Sequence, residues 1–228
     1  MCRPAALPPA PPNERTRVVQ EQPAWRTLDS SPWPPGADDD AVARLLDLAE
    51  ETAPEVAAHM ERTARLARRF AAELELPQPL LQLVVRTARL HDIGKLAIPP
   101  WVIDKPGPLS ETERRMMRAH PVMGQRILER KPVLMALGPL VRATHERWDG
   151  NGYPDRLKGA AIPLPSRIVA VCDAWDAMTN PRVYRGPLTG VRANEELRRG
   201  AGAQFDPGII QSFRALPHEQ IDRWAIGA

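Results

Sequence analysis

Residues 79–98 read PLLQLVVRTARLHDIGKLAI. The apolar run LLQLVVRTARLH reads as a helix over about 79–91 that ends near Gly94. The following LAIPPWVIDKPGPL is too rich in proline to be regular and reads as a long connecting loop. His91 and Asp92 therefore stand side by side where an apolar helix stops. Neighbouring helical positions diverge by about 100°, so one metal ion takes both side chains only near a helix end, whereas a carboxylate with two oxygens can bridge two ions. A histidine meeting the helix dipole beside a capping aspartate is the plainer account of the same pair. Lys95, four residues after His91, is placed to neutralise a phosphate oxygen beside such a cluster; on its own it is an ordinary surface lysine.

Outward from this stretch the pattern stays helical. Val42, Leu45, Leu46 and Ala49 fall at i, i+3, i+4 and i+7 behind the acidic start DDD, and Pro54 fits the first turn of a second helix. That helix carries Val56, His59, Met60, Ala67, Phe70, Ala71 and Leu74. Ser110 with Glu113 forms a capping box for a helix through MMRAH, interrupted by Pro121. Further helices are predicted at 122–130, 133–147 and 164–179. No alternation of period two is sustained, although RIVAVC alone has the look of a buried strand. The fold class read from this pattern is all-α, with no internal repeats. Residues 1–37 hold nine of the 26 prolines and end in SSPWPPG, which predicts a disordered tail ahead of one domain over 38–228.

The chain has 228 residues, of which 43% are hydrophobic and 26% charged, the composition of a soluble globular protein with one core. No apolar run approaches the roughly 20 residues of a membrane span, and no secretory signal is readable at the start, so a cytoplasmic location is the expectation. Two cysteines, Cys2 and Cys172, exclude a disulfide framework, and Cys172 reads as a buried thiol. A net charge of +3 favours anionic ligands only modestly.

Five histidines occur, and His59, His91, His120 and His145 lie near predicted helix ends or beside carboxylates. Taken singly, each is more often structural than a ligand. Asp173 and Asp176 share one helical face in AVCDAWDAMT, so a buried face demands a cation or donor for at least one of them, an arginine being the ordinary partner. Arg182 and Arg185 repeat that spacing in PRVYRG and are suited either to a phosphate or to solvent.

In this order these pieces resemble the HD-GYP subgroup of the HD-domain phosphohydrolases. The resemblance covers residues 42–215 and rests on EVAAHMERTARLA around His59, LHDIGKLAIPPWVIDKPGPLSETE, RAHPVMG, HERWDGNGYP, VCDAWDAMT with RVYR, and AGAQFDPGIIQSF. It implies a helical bundle holding two or three divalent ions, iron or manganese, and hydrolysing cyclic di-GMP to pGpG or GMP through a metal-bridging hydroxide. The implied ligands are His59, His91, Asp92, His120, His145 and Asp173, with Asp92 bridging, and Glu55 as the extra ligand of three-metal members; a helical ion pair from Glu55 to Arg62 competes with that role. Lys95, Arg182 and Arg185 are implied to hold phosphate, and Gly152, Tyr153 and Pro154 to wall the substrate pocket. Implied partners are the dinucleotide, a GGDEF-type or other signalling protein and a second copy in a homodimer, with no nucleic acid polymer. The chain departs from the subgroup at Thr144, where most members have a second ligating histidine. That departure raises two alternatives: a degenerate domain that binds cyclic di-GMP or a protein without cleaving, and a phosphohydrolase for another nucleotide.

Overall fold

The computed structural model describes residues 37–181, 186–217 and 221. The Pro-rich tail, Cys2, Arg182 and Arg185 lie outside them, apart from Ala37 at the tail's end. Helix α1 (Ala37–Thr52) begins one residue ahead of the acidic start and buries Val42 and Ala49. Helix α2 (Pro54–Glu73) takes Pro54 into its first turn, where a missing N–H costs nothing, and buries Val56, His59, Met60, Ala67, Phe70 and Ala71. Helix α3 (Gln78–Leu90) buries Leu80, Leu81, Val84, Val85, Ala88 and Leu90. Each buried Leu or Val contributes on the order of 1.5–3 kcal/mol, so packing against α2 rather than propensity holds this helix.

The chain after Leu90 differs from the loop expected over 96–109. A 3-10 turn over Ile93–Ala97 follows the His91–Asp92 corner, and a short helix α4 (Pro100–Ile103) follows it. Pro99 and Pro100 preset the backbone for that turn, so proline here starts a helix instead of preventing one. Helix α5 (Glu111–Met117) opens with the expected capping box, and α6 (His120–Glu129) places Pro121 in its first turn. The single helix expected over 133–147 is three pieces: a 3-10 segment (Pro132–Leu137), α7 (Gly138–Arg142) and a 3-10 turn (Ala143–His145). Pro139 has no N–H for a continuing ladder, and the chain restarts there. Helix α8 (Leu164–Thr179) matches the prediction and contains RIVAVC. Helices α9 (Gly190–Gly200) and α10 (Pro207–Arg214) complete the bundle, and no strand occurs among the described residues.

Two apolar clusters form the core. One joins α2, α3, α8, α9 and α10, with Phe213 edge-on to Phe70 at 5.0 Å and to Trp175 at 5.4 Å; Cys172 is buried in it. The other joins α1, the start of α2, the end of α3, α6 and residues 134–141. No helix among the described residues is long and apolar enough to cross a membrane.

Candidate metal centre

The side chains of two His/carboxylate clusters converge where α2, α3, α6 and α8 meet. His59, His91 and Asp173 form one and Asp92, His120 and His145 the other, the donor atoms of each lying within 4.8 Å of one another. Asp92 faces both. Its Oδ1 is 3.1 Å from His120 Nε2 and 3.8 Å from His145 Nε2, and its Oδ2 is 3.5 Å from His91 Nε2 and 3.7 Å from His59 Nε2. Asp173 Oδ1 stands 3.0 Å from His59 Nε2 and 3.9 Å from His91 Nε2. Six of the seven residues expected as ligands are therefore together. Glu55 is not: it is exposed and belongs to neither cluster. Its competing partner is also otherwise engaged, because Arg62 pairs with Asp176.

Whether these residues suit a cation is decided by their protons. His91 Nδ1 donates to the Ala88 carbonyl and His120 Nδ1 to the Met117 carbonyl, each at 2.8 Å. A carbonyl only accepts, so each ring carries its proton on Nδ1 and turns the lone pair of Nε2 inward. Those lone pairs point at carboxylate oxygens. His91 Nε2 and Asp92 Oδ1 are buried with no hydrogen-bond partner, and His120 Nε2, which pairs with His145 Nε2 at 2.8 Å, has no proton of its own to give Asp92. Acceptors facing acceptors in a buried site repel unless a positive ion lies between them. Two sets of imidazole and carboxylate donors sharing one carboxylate fit a pair of divalent ions.

Charges nearby favour the ligating, ionised form of the two carboxylates. Burial acts against the Asp92 anion, but Lys95, which donates to Oδ2, holds its carboxyl well below the usual carboxylate range. Burial likewise opposes the Asp173 anion, and the hydrogen bond from His59 outweighs it. Behind His59 stands Asp176, accepting from Nδ1 at 2.7 Å and gripped by Arg62 at 2.9 Å and Asn180 at 2.9 Å. Carboxylate behind histidine is the arrangement that orients a metal-binding ring. The i, i+3 spacing flagged Asp176 as needing a partner; that the partner is His59, 117 positions away, no local pattern reveals.

Thr144 lies beside His145 but in neither cluster. It is buried, and its hydroxyl donates to the Val141 carbonyl at 2.9 Å. Tyr153 stacks on His145, rings 5.3 Å apart and 2° from parallel, and burial pushes its phenol up to about 12. The loop carrying it is fixed by buried Glu146, which accepts from Asp155 N at 2.6 Å and Leu157 N at 3.1 Å. Gly152 leaves no room for a Cβ, which would meet the backbone of Glu146 and Arg147. Trp148 and Asp149 donate backbone hydrogen bonds to Gln204 and Ala203, tying the loop to the turn before α10. A cleft of about 530 Å³ opens onto His145 and Asp173, lined further by Tyr153, Ala174, Met178 and Phe205. That is the size of a small-molecule pocket.

Residues 44–209 match the family described as HD domain. A cyclic di-GMP phosphodiesterase of Vibrio cholerae serotype O1 is 34% identical over 198 residues, which cover 80% of this chain and 40% of that protein. The 3'3'-cGAMP-specific phosphodiesterase 2 of the same organism is 37% identical over 172 residues, covering 75% and 33%. The chain thus spans less than half the length of these curated relatives. Among solved structures, the HD domain of the L. monocytogenes phosphodiesterase PgpH superposes with a TM-score of 0.59 at 19% identity, covering 78% of this chain and 97% of that one. At that identity the likeness is one of fold.

Proposed function

The chain belongs to the HD-domain family, and from that premise we propose that it is a metal-dependent phosphodiesterase that opens cyclic di-GMP. The observation that carries this reading is the Asp92 carboxylate, which turns one oxygen to each of two histidine clusters. We assign one divalent ion, iron or manganese, to His59, His91 and Asp173, and a second to Asp92, His120 and His145. When bound, such a pair supplies Lewis acidity toward the phosphoryl oxygens and lowers the pKa of water at the site. Lys95, held by Asp92 and half-buried, steadies an anionic oxygen of the reacting phosphate. Tyr153 keeps its proton at neutral pH, so its O–H is a donor and its ring a wall for the substrate. Arg182 and Arg185 are proposed to add phosphate contacts, and Gly152 and Pro154 to shape the wall around Tyr153.

Thr144 does not break this scheme, because each cluster brings three donors together without it. Its buried hydroxyl is committed to Val141, and with Glu55 exposed the reading is two ions and no third. Protein purified anaerobically and loaded with iron or manganese is expected to convert cyclic di-GMP to pGpG and GMP, followed by chromatography beside 3'3'-cGAMP. No conversion of cyclic di-GMP by the loaded wild type, with turnover restored by Thr144→His, would replace this reading with a domain that binds without cleaving.

A further inference from the structure

We propose that Arg118 anchors the second, non-reacting phosphate of the substrate, a role that rests on the dinucleotide phosphodiesterase reading above. A cyclic dinucleotide carries two phosphodiester anions; the clusters and Lys95 meet one. Beside Arg182 and Arg185, proposed above for phosphate contacts, the cleft lining among the described residues supplies two further arginines, Arg118 and Arg147. Arg147 is committed to Asp149, with Nη2 2.8 Å from Oδ2. Three more of the described arginines are likewise paired: Arg62 with Asp176, Arg142 with Asp155 and Arg167 with Asp206. Arg118 has no carboxylate partner among the described residues. Its guanidinium instead lies over the Tyr153 ring, 5.5 Å from the centroid, while the same ring stacks on His145. An aromatic face holds an arginine without consuming its five donors, which remain available to a phosphate.

The backbone makes this position firm. Arg118 caps the end of α5, its N–H donating to the Arg114 carbonyl while the Ala119 N–H donates to the Met116 carbonyl, and α5 is pinned at its other end by the Ser110–Glu113 capping box. Two residues later His120 enters the Asp92 cluster. The anchor is thus set at a fixed offset from the ions it works beside.

The test compares wild type, Arg118→Met and Arg118→Lys in the full chain. Loaded enzyme gives KM and kcat for cyclic di-GMP, and calorimetry gives dissociation constants for cyclic di-GMP and cyclic di-AMP. The Met variant is expected to raise KM about tenfold at unchanged kcat, to weaken both dinucleotides by the same factor, and to be largely rescued by Lys. A loss confined to cyclic di-GMP overturns the phosphate role in favour of base reading, and unchanged affinities overturn any role in binding. If the wild type cleaves neither ring, the phosphodiesterase reading fails, and an Arg118-dependent loss of binding still upholds the anchor. An unshifted thermal midpoint in the Met variant shows that the effect is not one of folding.

Discussion

Asp176 accepts the Nδ1 proton of His59 and is itself clamped by Arg62 and Asn180, so the ring can present only Nε2 to the cluster. Removing that charge in Asp176→Asn is expected to weaken one of the two ions by 10–100-fold, the usual effect of losing such a partner. A metal competition titration checks this, and unchanged affinity for both ions would refute the orienting role. The same geometry gives a pH dependence. In metal-stripped protein burial disfavours the His59 imidazolium, but Asp173 and Asp176 prevail and raise its pKa from 6.5 to about 9. A pKa raised in the folded state stabilises the fold fully below 6.5, and that increment disappears as pH climbs through about 9. A metal ion needs the lone pair that this proton occupies, so binding expels it. Affinity is therefore expected to rise between these limits by up to about tenfold per pH unit. Calorimetry in two buffers of different ionisation enthalpy reads the released proton; binding near neutral pH without release would contradict the assignment.

At the scale of elements, the centre depends on how closely the His91–Asp92 corner meets the start of α6. Gly94 permits that approach, since a Cβ there would run into the His120 carbonyl and come 2.5 Å from Gly124 N, both backbone. Gly94→Ala is expected to cost about 1–3 kcal/mol, as overpacking does, and to lower metal content by moving His120 away from Asp92. Urea midpoints and metal analysis of the variant check this, and wild-type values for both would dismiss the close-approach account. The elements that sequence periodicity predicts well are those whose burial is one-sided and local: α1, α2 and α3 carry apolar stripes that survive in the fold, whereas α8 is buried all round over 164–169 and is legible from its length instead. Helix α9 escaped because GVRANEELRRG buries only Ala193, Asn194 and Leu197, too few for a period to show. Residues 133–147 misled because the apolar pattern runs through Pro139, where the backbone cannot follow it. For the site the division is similar. The convergence of four histidines and two aspartates was legible only through the family resemblance that the motif order carries, while Asp176 behind His59 and Arg118 over Tyr153 depend on contacts that only the folded chain makes.

For the molecule as a whole, the centre lies at the junction of the two apolar clusters. Asp173 comes from α8 in the first and His120 from α6 in the second, while α2 and α3 contribute to both. Ions held there tie the two halves together, so metal binding is expected to stabilise the entire fold. At a hundredfold excess over Kd each ion adds about 2.7 kcal/mol, which raises the thermal midpoint by several degrees in a chain of this size. Chelation should reverse the gain in a single cooperative transition. The shared carboxylate makes a sharper prediction. Asp92→Asn removes charge from both clusters at once and should reduce metal content from two ions per chain toward none, with the thermal gain lost in the same variant. Glu55→Gln, on the exposed face of α2, should leave two ions and the full gain. Elemental analysis with melting curves on the same samples distinguishes the outcomes: a third ion that vanishes with Glu55→Gln would show that α2 contributes a ligand its exposed position argues against, and one ion retained in Asp92→Asn would show that the clusters load independently and that Asp92 does not bridge them.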